Sequence, residues 1–174
     1  MFSDPDKNVA QFGLQHGMHV VDMGAGSGFY SMAAAKLVGS SGRVYAIEVQ
    51  RDLLDRLKKD AAALHLSNIE VIWGDIESLG GTRLRDAIAD RVIVSNTLAQ
   101  IEHKDQLFLE IKRILKPAGT VLIIDWTERT PLSPAAVVTR AQAELLAAKV
   151  GLTFESTITA GDHHYGIILS KSHD

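Results

Sequence analysis

The chain has 174 residues, enough for one domain with a sizeable core and too few for two comfortable ones. Its 46% hydrophobic content is that of a globular protein, and a net charge of −3 spreads no basic field that would draw nucleic acid. The absence of cysteine excludes disulfides, thiolate metal sites and a cysteine nucleophile.

The opening residues, MFSDPDKNVAQ, are polar and acidic, which is not a signal-peptide pattern. No apolar run approaches the ~18 residues of a membrane span. A cytoplasmic protein is expected. Ser3 or Asp4 before Pro5 predicts a cap and first-turn proline for a helix ended by Gly13 or Gly17. Residues 1–17 thus form a short helical lead-in to a single domain over residues 1–174. A first strand (19–23) and a helix (28–38) follow, broken by Gly39-Ser40-Ser41-Gly42. A second strand covers 43–49, a helix 52–66 with Leu53, Leu54, Leu57, Ala61 and Leu64 at helical spacing, and a third strand 69–73. A short helix is expected over 84–88, a fourth strand over 91–96 and a helix over 103–115. Lys116-Pro117-Ala118-Gly119 then turns the chain into a fifth strand, 120–126. A loop (127–134) leads to a long helix, 133–150, with Ser133 as cap and Gly151 as terminator. Two last strands, 153–159 and 165–170, are joined closely enough to pair antiparallel. Strands alternating with helices, apolar on both faces, imply an α/β, doubly wound, mostly parallel sheet.

Residues 19–30 read HVVDMGAGSGFY: an apolar strand, an acid (Asp22), glycines at 24, 26 and 28, then a helix. An α/β fold builds its nucleotide site at such a turn. The dinucleotide fingerprint G-x-G-x-x-G, counted from Gly24, requires glycine where Phe29 stands. Asp22 would also repel a pyrophosphate, whereas a ligand carrying an ammonium and a sulfonium would gain from that carboxylate. The stretch therefore suits S-adenosylmethionine (SAM) better than NAD. It resembles motif I of the class I SAM-dependent methyltransferases.

Three further strand ends agree. Glu48 closes strand two, where an acid accepts from ribose hydroxyls. Asp75 follows strand three, placed to accept the adenine amine while Ile76 packs on the ring. Asn96 ends strand four, where an amide or carbonyl can meet the methionine ammonium, with residues 97–100 following. Glycine turn, ribose acid, adenine acid and polar strand-four end recur in this order in class I methyltransferases. Within residues 90–126, LKPAGTVLI is similar to the ubiquinone and menaquinone biosynthesis-type group. The resemblance implies a seven-stranded Rossmann-like methyltransferase sheet of order 3-2-1-4-5-7-6, the last strand antiparallel. It further implies SAM as cofactor and S-adenosylhomocysteine (SAH) as product. Asp22, Gly24, Gly26, Gly28, Tyr30, Glu48, Asp75, Ile76 and Asn96 are the cofactor-binding candidates.

Methyl transfer needs alignment and desolvation of the acceptor, and a base only where the acceptor must lose a proton. Candidate bases are Asp125 at the end of strand five, the pair His163 and His164, and His103; Tyr30 and Trp126 are candidate walls. Ser95-Asn96-Thr97-Leu98 is not the Asn/Asp-Pro-Pro-Tyr/Phe motif of the enzymes that methylate exocyclic base amines. Asn96 stands where the Mg²⁺-dependent catechol type has its first acid, and His163-His164 lacks further ligands, so no metal is expected. The methyl acceptor is left unassigned among small molecules, lipid-like compounds, protein and RNA. The short lead-in implies an open site, covered by a large acceptor, by a second subunit in a homodimer, or by the lead-in itself. Arg51, Arg56, Lys58, Lys59, Lys112, Arg113 and Lys116 read as solvated helix faces. The alternatives are a non-catalytic SAM/SAH-binding partner subunit and, behind it, a nucleotide-dependent oxidoreductase.

Overall fold

The computed structural model describes residues 3–171; Met1 and Phe2 of the lead-in lie outside the described residues. Strand β1 (His19–Met23) is buried from Val20 onward and pairs in parallel with β2 (Arg43–Glu48) and β4 (Ala89–Ser95). Strand β3 (Ile69–Trp73) extends the sheet beyond β2, and β5 (Leu115–Trp126) extends it beyond β4, both in parallel. Strands β6 (Leu152–Ile158) and β7 (His164–Lys171) complete it, β7 antiparallel to both β5 and β6. The order β3-β2-β1-β4-β5-β7-β6 is the one the resemblance implied.

Because side chains alternate across a strand, an apolar run supplies two cores at once. Val21, Met23, Val92, Val94 and Ile123 face one layer, formed by α4 (Lys104–Ile114) and α5 (Arg140–Lys149). Val20, Ile93, Leu122 and Ile124 face the other, where α1 (Pro5–Ala10) and α2 (Phe29–Val38) pack. Helix α3 (Arg51–Ala63) flanks α2 and buries Leu54, Leu57 and Ala61.

Several local expectations are corrected. Residues 84–88 form no helix: Arg83 and Ala87 have positive φ, and the Ala87 N–H donates to the Arg113 carbonyl rather than to its own turn. Helix α5 starts at Arg140, seven residues later than read, because Thr139 and Gln142 form a capping box. Ser133 instead closes a turn on Thr130. Residues 116–119 bulge within β5, between the pairs Ala89–Leu115 and Arg91–Thr120. A 3₁₀ turn, Leu98–Gln100, follows β4 without having been read from the sequence.

Candidate functional site

The parallel strands β1 to β4 bring their carboxyl ends to one edge of the sheet, where a crevice of about 940 Å³ opens. The glycine turn forms its floor. A Cβ at Gly24 would stand 3.1 Å from the Thr97 methyl, so glycine there lets the loop after β4 close on β1. At Gly28 it would stand 2.4 Å from Leu57, so that glycine, the N-cap of α2, admits α3. At Gly26 it would meet nothing within 4 Å. Four of the turn's donors are occupied internally. Gly24 and Ala25 donate to the Ile47 carbonyl at 3.0 and 2.9 Å, Gly26 to Glu48 Oε2 at 3.0 Å, and Gly28 to the Ala25 carbonyl at 2.8 Å.

The crevice wall is rich in acceptors. Glu48 is buried, with Oε1 accepting the N–H groups of Val49 and Gln50, both at 2.9 Å. Asp75 is exposed and closes a turn on Glu77 N–H and Ser78 Oγ. Ile76 is buried beside it. Asn96 is held at φ 52°, and its buried Oδ1 has no partner among the described residues. Four acids line the crevice (Asp6, Glu48, Asp75, Glu77) against one base, Lys36, which pairs with Asp6 at 3.3 Å. SAM offers an ammonium, ribose hydroxyls and an exocyclic amine, all donors, and a sulfonium charge. An acceptor-rich, acidic wall fits that set, and a pyrophosphate would meet four carboxylates here.

Of the predicted cofactor residues, Gly24, Gly26, Tyr30, Glu48, Asp75, Ile76 and Asn96 line this crevice. Asp22 and Gly28 do not. The Asp22 carboxylate is buried behind the turn, accepting the Ser31 hydroxyl at 2.6 Å, and burial raises its pKa to about 6. Tyr30 turns its hydroxyl to Asn8 and Ser3. The proposed bases separate. Asp125 is wholly buried and accepts the N–H groups of Trp126 (2.8 Å) and Leu98 (3.0 Å). It therefore holds the loop after Asn96 and lines neither cavity. Burial raises its pKa against those bonds. His164 is buried against Trp126, ring centroids 4.3 Å apart, and burial lowers its pKa. His163 lines a second, smaller cavity at the end of β5. His103 is the N-cap of α4, and its backbone N–H donates to Glu77. Sequence reading missed Ser3, Pro5, Asp6 and Glu77 on the crevice wall. No local signal marks the first three, which reach it through the path of the lead-in.

The family model described as "Methyltransferase domain" matches residues 14–165. The chain is 32% identical over 132 residues to the ubiquinone/menaquinone biosynthesis C-methyltransferase UbiE of Bordetella avium (strain 197N), covering 73% of this chain and 48% of that protein. It thus spans about half the length of the curated relatives it matches. Among solved structures, a SAM-dependent methyltransferase from Aquifex aeolicus superposes with a TM-score of 0.87 at 29% identity, covering 97% of this chain and 89% of that one. The PH0226 protein of Pyrococcus horikoshii OT3 shares the fold, with a TM-score of 0.78 at 21% identity over 94% of this chain and 86% of its own. Sheet order and these likenesses define a class I methyltransferase with SAM as its cofactor. The chain belongs to the methyltransferase domain family. Among the described residues no helix is long and apolar enough to cross a membrane.

Proposed function

We propose that the chain acts as one catalytic domain, binding SAM in the crevice and transferring its methyl group to a ring carbon of an electron-rich aromatic acceptor of the quinol type. Glu48 would take the ribose hydroxyls, Asp75 the adenine amine with Ile76 against the ring, and Asn96 Oδ1 the ammonium. When bound, SAM supplies a methyl carbon already activated by its sulfonium. The protein's part is to align the acceptor and keep water away. The observation that carries the cofactor half is the wall of four acids over a glycine turn in which Gly24, Ala25, Gly26 and Gly28 spend their N–H groups on internal bonds. The acceptor half is supported by the printed activity of the UbiE relatives, C-methylation in quinone biosynthesis.

Calorimetry on the purified protein tests the cofactor half. SAH is expected to bind, NADH is not, and Glu48→Ala should weaken SAH by about 10- to 100-fold, the loss of charge-assisted bonds worth roughly 1.5–3 kcal/mol. Tight NADH binding, or an SAH affinity indifferent to Glu48, would refute the assignment.

A further inference from the structure

We infer that Glu128 and His163 form an acid–base dyad at the seat of the methyl acceptor, which is the second cavity and not part of the cofactor crevice. The inference rests on the aromatic-acceptor reading above and adds to it a place and a proton acceptor.

A cavity of about 430 Å³ opens at the carboxyl end of β5, bounded by Trp126, the loop from Glu128 to Leu132, and His163. It lies close to the crevice for reasons of register. Ser95 pairs with Ile124 in the parallel ladder and the Asn96 N–H donates to the Ile124 carbonyl, so Asn96 sits beside Asp125, one residue before Trp126. Neighbouring strands are about 4.8 Å apart. The indole therefore starts roughly one strand spacing from the amide on the crevice wall. An acceptor lying on that indole can turn an edge toward the crevice without leaving its seat.

The walls suit a flat, hydroxylated ring. Trp126 offers an aromatic surface, and the buried His164 ring on β7 packs against it and restrains its rotation. Pro131 and Leu132 add apolar area. His163 is the polar group with a fixed place: its carbonyl accepts the Thr127 N–H at 2.8 Å, tying it to the start of the same loop. Its Nδ1 is buried and lies 3.9 Å from Glu128 Oε1. That carboxylate stands on the Nδ1 side of the imidazole, leaving Nε2 to meet the acceptor. Distances between catalytic partners are commonly long before the substrate arrives and shorten in its complex.

Chemically, a neutral phenol is a poor carbon nucleophile. The acceptor's O–H proton passes to His163 Nε2 and its electron pair enters the ring. The ring carbon forms the new C–C bond as the S–CH₃ bond of SAM breaks, its pair remaining on sulfur. The hydrogen on that carbon then leaves as a proton to solvent, the ring regains aromaticity, and His163 returns its proton to the acceptor oxygen. The sum is one methyl gained, one proton released and SAH formed, with no oxidant or reductant.

The test uses the full chain with saturating SAM and 1,4-naphthalenediol under anaerobic conditions, with methylated product read by mass. Binding is read separately as quenching of tryptophan fluorescence; Trp73 is the one other tryptophan, so quenching should vanish in Trp126→Phe. His163→Ala is expected to lower kcat by about 10²–10⁴-fold. SAH affinity and diol quenching should stay within twofold, and added imidazole should restore part of the rate. Glu128→Gln should lower kcat about tenfold and leave binding alone. Turnover within threefold of the parent in His163→Ala, or quenching that survives Trp126→Phe, overturns the dyad or its seat while the acceptor reading stands. A parent protein that binds SAM but never methylates the diol overturns the acceptor reading, and the dyad with it.

Discussion

The carboxyl of Asp22 sits among the core residues of β1 with the Ser31 hydroxyl as its side-chain partner. Burial is the largest influence on it and lifts its pKa from 3.8 to about 6; Ser31 opposes, and the nearby Glu48 charge adds. A carboxyl raised in this way stabilises the fold fully below its unfolded pKa, and that contribution is lost as pH rises through about 6. At pH 7.5 the ionised group costs roughly 3 kcal/mol relative to a neutral one. Asn keeps an acceptor for Ser31 and carries no charge. Asp22→Asn is therefore expected to match the parent in urea midpoint near pH 4 and to exceed it by up to about 3 kcal/mol at pH 7.5. Equal stability of the two proteins at both pH values would show that the buried charge is compensated. Asp125 makes the same point by a different route. Its residue type and strand-end position were legible, its role was not, because the backbone N–H of Leu98 that it accepts comes from a 3₁₀ turn with no sequence signal.

At the scale of elements, the segment carrying Asp75 and Ile76 is clasped by α4 at both ends. Glu77 accepts the N–H groups of Glu102 and His103 at the start of the helix. Two turns along, the wholly buried Glu110 accepts the Gly80 N–H at 2.8 Å and the Thr82 hydroxyl, and pairs with Arg113 at 2.7 Å. Arg113 continues to Asp86 at 2.6 Å, so it is a structural cation where the sequence reads as a solvated face. An acid within the apolar stripe of Leu107, Phe108, Ile111 and Ile114 was the available signal. What it binds was not legible, since its partners lie some thirty positions away in an irregular loop. Glu110→Gln leaves Arg113 and the loop donors short of an acceptor. It should destabilise the protein by about 3 kcal/mol, the usual cost of breaking a buried pair. Amide exchange over residues 75–82 should rise and SAH bind more weakly, because the adenine end of the crevice loses its support. Unchanged exchange there, alongside the stability loss, would detach the clasp from the site.

On the scale of the whole molecule, the strands were legible as short apolar runs, and their order as what the resemblance to class I methyltransferases implies. The course of the lead-in was not, and it joins parts far apart in the chain. Gln11 exchanges two bonds with the backbone of Thr159, both 3.0 Å, just after β6. Within α1, Asn8 donates to the Tyr30 hydroxyl and to Ser3 Oγ, both at 2.8 Å. Ser3, Pro5 and Asp6 stand on the crevice wall. One short helix thus ties the mouth of the crevice to the connection between β6 and β7 that carries His163. Six residues cannot hold a helix by themselves, so its order depends on these anchors. Gln11→Ala removes one anchor, two exposed bonds together worth about 1–2 kcal/mol. Amide exchange in α1 is then expected to rise, and SAH to leave several-fold faster in a stopped-flow chase, while its association rate holds. If exchange rises and the release rate does not, α1 is a buttress of the sheet rather than a cover of the crevice, and the covering of the site falls to the acceptor or to a second subunit.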